Sequence, residues 1–348
     1  MKISHTFLFA ALCCAAYQSF AATTPEGASY TYSGSDPLIR KAASDKSTLS
    51  YTNRADAAPV LINNSTVDTT DYGTFTVTSN SLPIQIKNST VKGNNVIFDG
   101  KAVRLQSSST LEATNVTLAG STAVWDGAQV IATNQVTIQE TANTRGGASI
   151  QANVILLEGT GSIKDTDFTA DTVRINGSSI QIGGEFEISG TTYTGNTVSA
   201  REIKVESGTL SLEDVALGDT SVTMDGGLIN ILSDVEVGAL TLNGGTLNFD
   251  GDYVISLGGE AINLSDNVAV TINVDSVNSG HYVLFEDVAL DSVGLDNLAI
   301  TVVDTTGAQK EVVASYSNGS VTVTIPEPTT ATLSLLALCG LAARRRRK

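Results

Sequence analysis

The chain has 348 residues, of which 41% are hydrophobic, 16% charged and 5% aromatic, and it carries a formal net charge of −16. It is too apolar for a disordered chain and too long for a small disulfide-stapled domain. Lys2, Arg344, Arg345, Arg346, Arg347 and Lys348 supply six of the twenty positive charges, so the body sets 14 positive charges against 36 negative ones, a net −22 that repels nucleic acid and anionic membrane surfaces.

Glycine is abundant (31) and proline scarce (6), and Thr, Ser, Val and Asn recur throughout, which favours strands and turns over helices. Cys13, Cys14 and Cys339 all lie in the terminal apolar segments. The body between them therefore holds no disulfide framework and no thiolate metal site. An acidic body of this kind suits a secreted protein that must stay soluble, or one that gathers divalent cations.

In chain order, residues 1–21 read as a secretory signal. Lys2 is a positive n-region, Phe7 to Ala16 is a short apolar run, and Ser19-Phe20-Ala21 offers small residues for signal peptidase. Residues 22–58 are Ser/Thr/Ala-rich without a sustained period and form an expected N-terminal extension or cap; Arg40, Lys41, Lys46 and Arg54 make this the least acidic part of the body.

A repeat is expected over 59–278. It is clearest in two consecutive phrases, Val222-Thr223-Met224-Asp225-Gly226-Gly227-Leu228-Ile229-Asn230-Ile231 and Leu240-Thr241-Leu242-Asn243-Gly244-Gly245-Thr246-Leu247-Asn248-Phe249. Each is an alternating strand, a glycine turn and a second alternating strand. Equivalent strands begin at Val96, Val116, Val136, Val154, Val173 and Ile203, with Phe75 one step earlier. From Val96 to Leu240 the steps are 20, 20, 18, 19, 30, 19 and 18 residues. A unit this small cannot bury its own apolar face, so it must stack on its neighbours. The period predicts a right-handed parallel β-helix in which each rung adds about 4.8 Å and like residues stack into ladders.

The 30-residue step predicts an insertion at 183–200, protruding as a loop that could carry a contact. Glycines are expected at corners that need positive φ. Asn95, Asn115, Gln135 and Asn153 each precede the reference strand and are read either as an amide ladder or as turn-formers acting singly. From Gly280 the strands lengthen, and residues 279–325 are expected to form a small antiparallel β-cap over the last rung.

The final 23 residues have three parts. Pro326-Glu327-Pro328 breaks the last strand, residues 329–343 are apolar, and Arg344, Arg345, Arg346, Arg347 and Lys348 end the chain. This is the order of a hydrophobic segment with a basic cytoplasmic flank. It resembles the PEP-CTERM sorting signal of Gram-negative bacteria, with Pro326, Glu327 and Pro328 at the family's namesake motif. The resemblance implies export across the inner membrane, reading of the tail by an exosortase-type processing enzyme, and display at the surface or in an exopolysaccharide matrix. As a helix, 15 residues span about 22 Å, short of the ~30 Å hydrocarbon core, so residues 329–343 suit transient insertion better than a permanent anchor. The body resembles autotransporter-type and adhesin-like β-helices in repeat texture, including its Gly-Thr-Leu and Asn-Gly-Gly phrases.

Catalytic signals are sparse. His281 is the sole histidine after the signal segment, too little for a triad or a histidine metal cluster. The stretch from Lys164 to Arg174 carries Asp165, Asp167, Asp171 and Arg174, the residue types that polysaccharide-active β-helices use. A solvated strand face plus a turn is the simpler account of them. Trp125 is the lone tryptophan, so a sugar-stacking platform is not evident. The expected fold is all-β: a parallel β-helix, an antiparallel cap and a C-terminal hydrophobic helix. The expected role is non-enzymatic, structural or adhesin-like, without a cofactor or metal, and with surface glycans as candidate partners. A polysaccharide-active lyase or glycosidase is the alternative.

Overall fold

The computed structural model describes residues 45–52, 60–80, 82–164, 166–176, 179–183, 197–265, 268–275, 280–289 and 298–325, together with short strands at 22–23, 29–32, 39–42, 186–188 and 191–193. Every regular element among them is a β-strand. No helix among the described residues is long and apolar enough to cross a membrane. The chain divides into two compact units, Met1–Arg174 with Glu185–Ser199, and Ile175–Gly184 with Ala200–Lys348. Each is a parallel β-solenoid.

In the first unit every turn contributes to two parallel sheets. One stacks Thr48–Thr52, Thr74–Ser79, Thr90–Gly100, Thr110–Leu118, Gln129–Ile138 and Ala148–Leu157. Its register runs Leu49, Phe75, Val96, Val116, Val136, Ile155. The other stacks Val60–Asn63, Ile84–Lys87, Ala102–Gln106, Ser121–Val124, Thr141–Thr144 and Thr160–Ile163. Its register runs Val60, Ile84, Val103, Thr122, Ala142, Gly161.

The ladder is the one the spacing predicts, with one correction. Val136 pairs with Ile155 rather than Val154, because the register shifts between Ile131 and Gln135. The earlier strand carries one more residue through this bulge than its partner, so every later residue moves by one. Ile155 is accordingly buried and Val154 only half-buried. The ladder also starts earlier than the spacing reveals, at Thr48–Thr52.

Period-two alternation puts Val96 and Phe98, Val116 and Leu118, and Val136 and Ile138 inside, with Ile97 and Thr117 between them half-buried, while Thr137 is buried as well. Aromatic side chains step through this core from turn to turn. Tyr51 meets Phe75 and Phe75 meets Phe98, both at 6.2 Å between ring centroids and edge to face. That geometry suits the ring quadrupoles and contributes about 0.5–1.5 kcal/mol per pair beyond burial.

The second unit repeats the scheme. Ile203, Val222, Leu240 and Ile262 stack in one sheet. Ile180, Leu210, Ile229, Leu247, Val270 and Ile300 stack in the other. The two duplicated phrases therefore lie on adjacent turns, strand over strand. A third set of short strands, Val235–Glu236, Ile255–Ser256 and Gly280–Glu286, is also parallel. Gly280–Glu286 and Ala299–Asp304 thus still belong to parallel ladders. The antiparallel pairs involve Gln309–Val312, which lies along Ala299–Asp304, and Ser320–Ile325, which lies between Gly280–Glu286 and Ala314–Ser317. The 183–200 insertion contains an antiparallel pair, Phe186–Ile188 with Thr191–Tyr193.

Two kinds of glycine serve the turns, where one was expected. Gly127, Gly146 and Gly227 have positive φ and do turn corners. Gly120 and Gly159 do not. A Cβ on Gly120 would sit 1.6 Å from the Gly100 carbonyl oxygen, and one on Gly159 would sit 1.5 Å from that of Glu140. At this corner successive turns approach so closely that a side chain is excluded for steric reasons.

Gly159→Ala is therefore expected to destabilise the protein by about 2 kcal/mol or more, since backbone has to move to admit the methyl group. Gly147→Ala, at φ +69° with open space around it, should lose only about 1 kcal/mol. Denaturant titration of both variants checks the order; equal losses would contradict it.

Candidate functional site

Pro326, Glu327, Pro328, Arg344, Arg345, Arg346, Arg347 and Lys348 lie outside the described residues, as do the 1–21 segment and Asp165. Asp167, beside the buried Phe168, and Asp171 are both exposed on Thr166–Ile175. The strand is not regular: its buried positions change parity between Phe168 and Val173. Arg174 is half-buried on the same strand. His281 is exposed on an antiparallel strand, with Nδ1 3.1 Å from Thr324 Oγ1. Among the described residues, no group of three or more His, Cys, Asp or Glu side chains is placed to hold a metal ion.

The outer surface is organised as ladders running from turn to turn. Asn115 Nδ2 donates to Asn95 Oδ1 at 2.7 Å, and Asn134 Nδ2 donates to Asn115 Oδ1 at 2.7 Å. Asn95 Nδ2 continues to the Gly73 carbonyl at 2.8 Å. The amide ladder thus exists, but its third member is Asn134. Gln135 is still the Cα partner of Asn115, but its amide donates to Thr137 Oγ1 at 2.7 Å instead. Asn153 is exposed on the following strand. A primary amide carries both donor and acceptor, so identical residues can stack without a frustrated pair. A shallow groove of about 340 Å³ runs along this ladder, floored by Val96, Ile97 and Val116.

The second unit carries a ladder that sequence reasoning missed. Asn230 donates to Ser211 Oγ at 3.2 Å, Asn248 to Asn230 at 3.0 Å, and Asn273 to Asn248 at 3.3 Å. The signal was present: Asn230 and Asn248 hold the same place in the duplicated phrases.

Charged side chains stack by opposite sign. Lys92 pairs with Glu112 at 2.7 Å, and Lys204 pairs with Asp225 at 2.7 Å. Asn243 Nδ2 donates to Asp225 Oδ1 at 2.8 Å. The Asn243 hydrogen bond, followed by that from Lys204, holds the Asp225 carboxyl below its usual range. The hydrogen bond to Glu112 raises Lys92, and that to Asp225 raises Lys204. Solvent screens such exposed pairs, so they order the surface more than they stabilise the fold.

One cavity stands apart in composition. Trp125, Arg145 and Lys164 each lie one residue past the end of a strand, at Ser121–Val124, Thr141–Thr144 and Thr160–Ile163. Each backbone N–H donates to the preceding turn, Trp125 to Leu105, Arg145 to Val124 and Lys164 to Thr144, at 2.9, 3.1 and 3.0 Å. The three side chains therefore leave one corner on successive turns. The Arg145 guanidinium lies over the Trp125 ring, 4.4 Å from its centroid. With Asn143, Thr144 and Ser162 they enclose about 420 Å³. Trp125 Nε1 and Thr144 Oγ1 are shielded from solvent and have no hydrogen-bond partner. A lone tryptophan in the sequence gives no evident sugar-stacking platform, and a corner column shows no apolar alternation to mark it. Its visible signal was the spacing of 20 and 19 residues between Trp125, Arg145 and Lys164.

No protein-family model matches the chain, and comparisons with characterised proteins and with solved structures find no significant match.

The Asp225 contacts predict a pH dependence. A carboxyl with a lowered folded pKa contributes stability above its unfolded value, near pH 4, and loses it as pH falls through the folded value. The difference in unfolding midpoint between the wild type and Asp225→Asn should be present at pH 7 and vanish near about pH 2. A difference that persists unchanged at low pH would contradict the assignment.

Proposed function

We propose that this chain is an exported, non-catalytic envelope protein. Its β-solenoid body is displayed at the cell surface or in an exopolysaccharide matrix through a PEP-CTERM-type tail. The observation that carries this reading is the tail itself: Pro326-Glu327-Pro328, then the apolar 329–343, then the basic Arg344 to Lys348 cluster. A signal-like 1–21 segment at the other end supports it.

In this reading an exosortase-type enzyme recognises Pro326, Glu327 and Pro328 while residues 329–343 insert transiently as a hydrophobic helix. Arg344, Arg345, Arg346, Arg347 and Lys348 stay on the cytoplasmic side. The solenoid is right-handed, and its final antiparallel strands cap the last rung and shield its hydrogen-bonding edge. The body has properties that suit display. It carries a large negative charge, its cysteines are confined to the terminal segments, and its outward ladders of amides and hydroxyls offer repeated hydrogen-bonding groups to glycans.

The intact mass of the protein isolated from its producing cells tests the sorting step. The expected species lacks residues 1–21 and also lacks 329–348. Replacing Pro326, Glu327 and Pro328 together by alanine should leave the tail attached and the protein in the inner-membrane fraction. A wild-type protein that retains 329–348 would sink the sorting proposal.

A further inference from the structure

We propose that the Trp125–Arg145–Lys164 corner of the first unit is a binding site for a carboxylated sugar residue, a uronate of an acidic polysaccharide. The inference deepens the envelope reading, on which it rests only for where such a glycan would be met.

The argument starts from charge. The body holds 14 positive charges against 36 negative ones, yet Arg145 and Lys164 line one cavity on successive turns. Arg104 lies nearby in the same sheet. Its Cα partner is Ala123, whose own partner on the next turn is the cavity residue Asn143. Arg145 stacks on Trp125, and among the described residues its guanidinium has neither a carboxylate nor a carbonyl partner. The ring takes one face of the guanidinium, whose N–H donors have no acceptor among the described residues and remain for a group entering the cavity. A carboxylate is the group that matches the guanidinium fork with two parallel hydrogen bonds.

The neutral wall suits the rest of a sugar. Asn143 and Ser162 are Cα partners on neighbouring outward-facing positions, and both line the cavity. They offer a carbonyl, an amide and a hydroxyl to ring hydroxyls. The Trp125 ring supplies an apolar surface for C–H groups. A cavity of about 420 Å³ accommodates one to two sugar rings, at the small end of ligand sites.

The chain carries a single tryptophan, so intrinsic fluorescence reports on this corner alone. The intact protein in mild detergent is titrated with a short oligogalacturonate, with its neutral oligogalactoside counterpart, and with acetate and inorganic phosphate. The expected result is a saturable change in Trp125 emission with the uronate, at least about tenfold weaker for the neutral sugar and for the small anions. Arg145→Gln should weaken the uronate response at least about tenfold. Asn143→Ala leaves the Arg145–Trp125 stack intact and should weaken it several-fold, with unchanged thermal unfolding. No saturable response to the uronate, an equal response to the neutral sugar, an equal response to acetate or phosphate, or undiminished binding by Arg145→Gln each overturns the proposal. Tail processing plays no part in this measurement, so failure of the site and failure of the sorting reading are separately visible.

Discussion

A strand in this protein finds its backbone partners in the turn before and the turn after, about 4.8 Å away on either side. Pairing therefore has to be parallel, in register and repeated, and no single turn can satisfy it alone. A turn that is too long must expel its surplus sideways. The insertion after Ile182 pairs two of its own strands antiparallel, and the strand containing Ile131 and Gln135 takes up its extra residue as a bulge. Inside, the same rule stacks Val on Val and Leu on Ile, and lets Tyr51, Phe75 and Phe98 meet edge to face from turn to turn.

Stacking also dictates the surface. Identical positions on adjacent turns face each other at strand spacing, where like charges repel and unmatched donors go unsatisfied. The solutions seen are opposite charges, as in Lys92–Glu112 and Lys204–Asp225, and self-complementary amides, as in Asn95–Asn115 and Asn230–Asn248. A face that solves its own hydrogen bonding this way is left with ordered, repeated polar groups on the outside. The Trp125–Arg145 corner departs from that pattern. Its cation is stacked on an aromatic ring instead of neutralised, which is why a ligand is looked for there and not along the ladders.

Much of the body was legible because parallel stacking forces equal steps. The 18-residue offset between Val222 and Leu240, or between Ile229 and Leu247, is read directly from the amino acids and holds in the pairing. The error at Val154 has a backbone cause, since a bulge changes register without leaving a mark in composition. The glycines at 120 and 159 were read for φ when their constraint is the approach of the preceding turn's carbonyl, a contact between distant residues. Likewise Asn134, not Gln135, completes the ladder, because the Gln135 amide is taken by Thr137 Oγ1. The Trp125–Arg145–Lys164 column was hidden because corner residues follow the rung period without any hydrophobic alternation to mark them.

The account stands on the register of adjacent turns, since the core, the ladders and the corner site all follow from it. The body contains no cysteine between Cys14 and Cys339, so engineered pairs report without interference from it. Thr117 and Thr137 are Cα partners on neighbouring turns. At strand spacing, about 4.8 Å, their cysteine replacements fall within disulfide range. Peptide mapping after mild oxidation should find the Thr117→Cys/Thr137→Cys bridge in high yield and little bridging in Thr117→Cys/Gln139→Cys, which is two residues out of register. Bridging of the offset pair with none in the aligned pair would contradict the stacking on which the structure and its surface are built.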